Sequence, residues 1–265
     1  MTIIASNMPA AEWTKFRDLR RSRQLLITTI AAAVATAVVL VLTFPATRGT
    51  ALSDATAEDV LSTSVLGIDA AAAVLVVLAA WFTGVEFRTG AITESLLRTR
   101  RRSRIVAAKA LVVAAFAAVM GVLAAVVVTA VGIALAASAA QTGWGQALTV
   151  AGSGDHVRLA LGSVVLPVVF SLLAVFGAVG FRSVAGGILT PLAVLLGSML
   201  AGWLPTSLAS TLQPLLPFAA VHSLSGVAEV DGTEYIGALS ALVLLVLWVA
   251  GAAIFAAWRL RRQDF

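Results

Sequence analysis

Apolar residues run along this chain in long blocks separated by short polar stretches, with none of the strict alternation of a half-buried strand. A helix needs about 20 mostly apolar residues to cross about 30 Å of hydrocarbon. Six blocks qualify: Leu25–Phe44, Val65–Val85, Ile105–Ala137, Leu159–Phe181, Val184–Trp203 and Gly237–Trp258. The third is overlong, reaching roughly 50 Å at about 1.5 Å per residue. It must tilt or project, and its basic end, Arg100–Lys109, is expected to project. A further apolar stretch, Leu204–Leu224, is interrupted by Pro205, Pro214 and Pro217. Prolines break a plain spanning helix, so a re-entrant hairpin or a membrane-skimming loop is expected there, sheltered by neighbouring helices. Missing alternation also argues against a β-barrel. The pattern predicts an all-α integral membrane protein: one transmembrane domain over residues 1–265 with six transmembrane helices and a re-entrant segment before the last.

Polar positions fix an expected orientation. Of the 18 basic residues, 16 fall on one side of such a six-span arrangement, and only Arg48 and Arg158 fall opposite. Asp54, Glu58, Asp59, Asp155, Glu229, Asp231 and Glu234 gather on that opposite side. The positive-inside rule then puts both termini in the cytoplasm of a multi-pass plasma-membrane protein. Composition agrees: 60% of the 265 residues are hydrophobic and 12% charged, against about 25% charged in soluble domains. A net charge of +5 therefore marks cytoplasmic loops and anionic lipid rather than nucleic acid. The first span exceeds the usual signal-peptide core of about 7–15 residues and reads as a retained signal anchor.

Absent chemistry narrows the function. With no cysteine there is no disulfide, thiolate zinc site or cysteine nucleophile. A phosphate-binding G-x-x-x-x-G-K-[ST] loop is missing, and neither lysine, Lys15 or Lys109, follows a glycine. No catalytic residue, metal site or cofactor is expected in the chain, and it is not expected to be an enzyme. His156 and His222 fall in expected outer loops, and Ser153, in Gly152-Ser153-Gly154-Asp155-His156, reads as part of a flexible Gly/Ser loop. One ionisable residue, Asp69, sits inside an expected span. It lies about 24 Å from the inner end by helix rise, near the outer boundary, as either a solvated interfacial group or a substrate or proton site.

Two cytoplasmic elements carry more signal. Trp13, Phe16 and Leu19 recur every third residue among Glu12, Lys15, Arg17 and Arg20, which suits an interfacial helix over residues 8–23. Between spans two and three, the loop 86–104 holds Gly90 for a chain reversal and Ile92 with Leu96 on one helical edge. Such a short helix suits a groove on a soluble partner. Phe87, Ile92 and Leu96 would fill it, while Glu86, Arg88 and Glu94 would set register.

Glu12-Trp13-Thr14-Lys15-Phe16-Arg17 resembles the E-W-T-K-[LF]-R opening of actinobacterial permeases of the ABC-2 transporter family. Glu86-Phe87-Arg88-Thr89-Gly90-Ala91-Ile92, followed by Ser103-Arg104 and Ala108-Lys109-Ala110, is similar to that family's E-[YF]-R-x-G-T-I…S-R…A-K pattern. Ala91, where threonine is common, and Asp69 depart from it. The resemblance implies an exporter permease in an actinobacterial inner membrane, paired with a second permease copy or paralogue and with two copies of a separate ATP-binding cassette subunit that binds ATP and Mg. It implies that residues 8–23 form the connecting helix, that Glu86, Phe87, Arg88, Thr89, Gly90, Ile92, Glu94 and Leu96 form a cytosolic coupling helix, and that 204–224, with Pro205, Pro214 and Pro217, lies at the outer gate. Spans two and five would line the path, with Asp69, Thr190 and Pro191 as candidate path residues, and a largely apolar path favours a lipid, antibiotic or peptide cargo. Gly177 and Gly180, or Gly197 and Gly202, would permit close helix approach. A non-transporting accessory, immunity or signalling subunit with the same fold stays open as an alternative.

Overall fold

Among the described residues of the computed structural model 87% are helical, and six helices there are long and apolar enough to cross a membrane. The structure describes residues 10–14, 20–49, 51–90, 102–140, 142–228, 232 and 234–262, and no strand occurs among them. Residues 10–14 are helical. Then follow α1 (Arg20–Leu42), α2 (Phe44–Arg48), α3 (Ala57–Val65), α4 (Gly67–Thr89), α5 (Arg102–Ser138), α6 (Trp144–Ala151), α7 (Gly154–Ser163), α8 (Val165–Phe181), α9 (Val184–Ala201), α10 (Thr206–Leu212), α11 (Pro217–Ser225) and α12 (Ala238–Arg261). Single turns of 3₁₀ helix occupy Leu52–Asp54 and Gln213–Leu215.

Local chemistry sets the breaks. Thr56 and Asp59 form a reciprocal capping box that starts α3, which satisfies two otherwise orphaned backbone donors. Gly90 closes α4 in the left-handed region at φ 73°, where a Cβ is penalised. Arg182 takes the same region at φ 54°, and the Ser183 hydroxyl accepts from the Gly186 N–H at 2.9 Å, so α8 reverses into α9 across two residues. Pro217 stands in the first turn of α11, where its missing N–H costs nothing.

α8 lies at the centre, packed on α4, α5, α9 and α12, and Leu173, Ala174, Val175 and Val179 are buried there. Lipid tails are as apolar as leucine, so spanning helices associate through close packing rather than hydrophobic burial. Gly84 lets the α4 backbone meet Val184 at the start of α9, and Gly177 meets Thr190. By contrast, α12 and α9 bury only 11% and 22% of their apolar windows inside the chain.

Several expected boundaries move. The second run extends back to Ala57, as α3 and α4 hinged at Leu66, and the fourth starts at Gly154 as α7 and α8. Arg20 to Arg23 lie in the long helix α1, and residues 8–9 and 15–19 of the expected interfacial helix lie outside the described residues. The expected flexible loop around Ser153 is ordered: its hydroxyl accepts from the His156 N–H at 3.2 Å and caps α7. Of the glycines expected at close approaches, Gly177 and Gly180 are so placed, whereas Gly197 faces open space. The region 204–224 is α10, a 3₁₀ turn and α11. The indole N–H of Trp248 donates to the Leu215 carbonyl at 2.9 Å, which places this turn about 15 Å along α12 by helix rise.

Candidate functional site

The basic end of the bundle is organised around Lys109. Its Nζ lies 2.7 Å from Glu12 Oε2 and 2.7 Å from Glu86 Oε1. It also sits 4.3 Å from the centre of the Phe82 ring. The lysine side chain is 1% exposed, and those of Glu12 and Glu86 are 7% and 13% exposed. A buried ammonium is tolerated only when paired, and here carboxylates from two distant segments supply the pairing while the ring face adds a cation–π contact. The N-terminal helical residues, the end of α4 and the start of α5 are thereby fastened at one point. The expected projecting basic end of the third span is instead packed from Ile105 onward, with Ala108 and Lys109 buried.

Glu86, Phe87, Arg88 and Thr89 form the last turn of α4, with Gly90 as its cap, so α4 takes in the first four residues of the expected loop. Phe87 is half-buried and packs against the protein's own core. Arg88 is exposed. Ile92, Glu94 and Leu96 lie outside the described residues, as do Lys15 and Phe16. Trp13 is exposed, whereas Glu12 is turned inward to Lys109.

At the opposite, acidic end, Asp69 occupies the first turn of α4. Because the helical run begins at Ala57, Asp69 stands well inside it rather than at its edge. It lines two cavities. One, of about 680 Å³, is polar and is walled by Glu58, Asp155, His156, Arg48 and Arg158 among others. The second, of about 370 Å³, is otherwise apolar and runs between α4 and α9 past Val76, Phe170, Pro191 and Phe218.

Asp69 and Pro191 thus share a cavity. Thr190 does not: its hydroxyl donates to the Gly186 carbonyl at 2.7 Å, and it lines a groove of about 440 Å³ with Trp248 and Phe255. Pro205, Pro214 and Pro217 line neither outer cavity. Pro205 caps α10, Pro214 lies in the 3₁₀ turn and Pro217 opens α11, so they shape the backbone of this end.

The remaining polar groups have local duties. His156 is buried and its ring is hydrogen-bonded to Thr129 at 3.1 Å, not to Ser153. Arg158 donates to the carbonyls of Ser223 and Leu224 at 3.1 and 3.2 Å, closing the end of α11. His222 contacts Glu234 at 2.8 Å and packs 4.2 Å from the Phe218 ring. Among the described residues, no group of three or more His, Cys, Asp or Glu is arranged to hold a metal.

Sequence reasoning missed Lys109 as a centre, treating it as one more cytoplasmic charge. A signal was present: it is a lone lysine within the apolar run Val106-Ala107-Ala108-Lys109-Ala110-Leu111, where an uncompensated charge is expensive.

A family model, DUF2705, described as a protein of unknown function, matches residues 25–265. No curated protein and no solved structure matches.

Proposed function

The chain belongs to the DUF2705 family, and from that premise we propose that it is the membrane-spanning permease subunit of an ATP-binding cassette exporter, driven by a separate ATPase subunit. The supporting observation is the ion triad. Glu12, Glu86 and Lys109 come from the three stretches that carry the resemblance to ABC-2 permeases, they are far apart in sequence, and they meet at 2.7 Å.

In this reading both termini and the arginine-rich segment after Gly90 are cytoplasmic, in the plasma membrane of an actinobacterium. Two ATPase copies, which carry ATP and Mg, dock on that segment beneath a pair of permease chains. Movement of the docked segment passes to α4 and α5 together because Lys109 holds their ends and the N-terminal helix as one unit. α4 extends from this anchor to Asp69, so displacement at the basic end reaches the outer cavities through a single rigid element. ATP can bias inward- and outward-facing states only through a difference in its binding to the two. The turn at Leu215, held to α12 by Trp248, serves as the re-entrant outer segment sheltered by its neighbours.

The test is co-expression with a cassette ATPase encoded beside it, purification in mild detergent, and transport in proteoliposomes. The expected result is a stable complex whose ATP hydrolysis drives export. Ile92→Asp should leave assembly of the membrane body intact and uncouple hydrolysis from export, because Ile92 contributes the apolar edge expected at the docking surface. A complex that forms without any ATP-driven flux would favour an accessory or immunity subunit, and absence of a complex would refute the permease reading.

A further inference from the structure

The two cavities that meet at Asp69 differ in chemistry, and the difference specifies a ligand. Glu58, Asp69 and Asp155 all line the larger one, and among the described residues no hydrogen bond or ion pair engages the side-chain carboxylate of any of the three. Two arginines stand on the same wall, both exposed, and their charges face the three carboxylates. Arg158 donates to the Ser223 and Leu224 carbonyls, and Arg48 lies 6.0 Å from the Phe44 ring centre. His222 is bonded to Glu234, and His156 to Thr129.

Asp69 alone of these carboxylates also borders the smaller cavity, whose other walls are apolar side chains. That cavity extends from Asp69 to Val77, about 12 Å along α4 by helix rise. Asp69 is exposed where the two cavities meet, so an incoming cation can reach its carboxylate without displacing a protein partner. An apolar slot with one oriented charge at its mouth binds by shape and fixes the ligand's polar end. Phe170 and Phe218 place aromatic rings in the same wall, and such ring faces attract cations.

We propose that this paired cavity binds a lipophilic monocation, an amphipathic amine or an onium ion, with its charged centre at Asp69 and its apolar body between α4 and α9. Glu58, Asp69 and Asp155 outnumber Arg48 and Arg158 on the wall of the larger cavity, which leaves a net negative field towards an incoming cation. The proposal deepens the permease reading by naming its cargo class and rests on that reading only for calling the ligand a cargo. Binding is a property of this chain alone.

The full-length chain in lipid nanodiscs would be dialysed against radiolabelled tetraphenylphosphonium, with empty nanodiscs as background and tetraphenylborate, an anion of the same shape, as comparison. Saturable binding of the cation but not the anion is expected. Asp69→Asn should weaken it about tenfold or more, Asp69→Glu should retain it, and Val77→Phe, which fills the apolar cavity, should weaken it with the carboxylate intact. Equal binding of cation and anion, or full affinity in both Asp69→Asn and Val77→Phe, would overturn the proposal. If Asp69→Asn melts early, the Val77→Phe arm and the cation–anion comparison on the unaltered chain decide. Failure here removes the cargo class, whereas failure to associate with an ATPase removes the permease reading.

Discussion

Lys109→Met removes the buried ammonium that bridges Glu12 and Glu86. The substitution nearly preserves side-chain length, so the change is chiefly electrostatic. Lys109 is 1% exposed, so water cannot replace the lost ammonium. Removing one partner of such a buried arrangement costs about 3–5 kcal/mol. At about 2–4 °C per kcal/mol, that corresponds to a fall of roughly 6–20 °C in thermal midpoint. Six tryptophans provide intrinsic fluorescence for a melt of the detergent-purified chain, compared at one fixed scan rate because such unfolding is often irreversible.

The decisive comparison is the triple variant Glu12→Gln, Lys109→Met, Glu86→Gln. Neutralising all three together removes the carboxylate charges that faced the lost ammonium, and replacement of a buried ion group by neutral residues is often close to neutral in stability. The triple variant should therefore melt well above Lys109→Met, a non-additivity expected only of groups in contact. Lys109→Arg should fall between, since a planar guanidinium does not fit a site shaped around a compact ammonium. A Lys109→Met chain as stable as the parent, or a triple variant no better than the single one, would refute the reasoning.

Gly84→Leu should lower the melting midpoint, because a Cβ there meets the Val184 backbone and overpacking costs about 1–3 kcal/mol, whereas Gly197→Leu, in open space, should leave it unchanged; equal effects would contradict the α4–α9 contact. Ser153→Ala should cost about 1 kcal/mol through loss of the α7 cap, read in the same melt, with no change if the hydroxyl is not capping. The chain has no cysteine, so single replacements report sidedness directly: a membrane-impermeant maleimide on whole cells should label Ser53→Cys and spare Thr89→Cys, and the reverse pattern would invert the proposed orientation.

Much of the fold was legible because the bilayer is an unforgiving solvent. Backbone groups inside hydrocarbon must be satisfied within each segment, so six apolar blocks of spanning length had to be six helices, and they are. Their breaks were legible where a residue's own backbone preference decides them, as at Gly90 and Pro217. The run from Ala57 to Val65 was not, since Glu58, Asp59 and three hydroxyl residues make it look like a polar loop. A capping box and packing of Val60 and Leu61 into a buried cluster make it a helix.

The sequence by itself determined six helices long and apolar enough to cross a membrane, because length and hydropathy are local sums that do not depend on neighbours. Only the tertiary structure decided that Lys109 joins Glu12 and Glu86, that Asp69 stands between a polar and an apolar cavity, and that Thr190 faces away from Pro191's cavity. Those facts depend on how helices rotate about their axes when they pack. In a chain so uniformly apolar, rotation is set by small residues and a few buried charges meeting across the bundle, and no single segment contains that information.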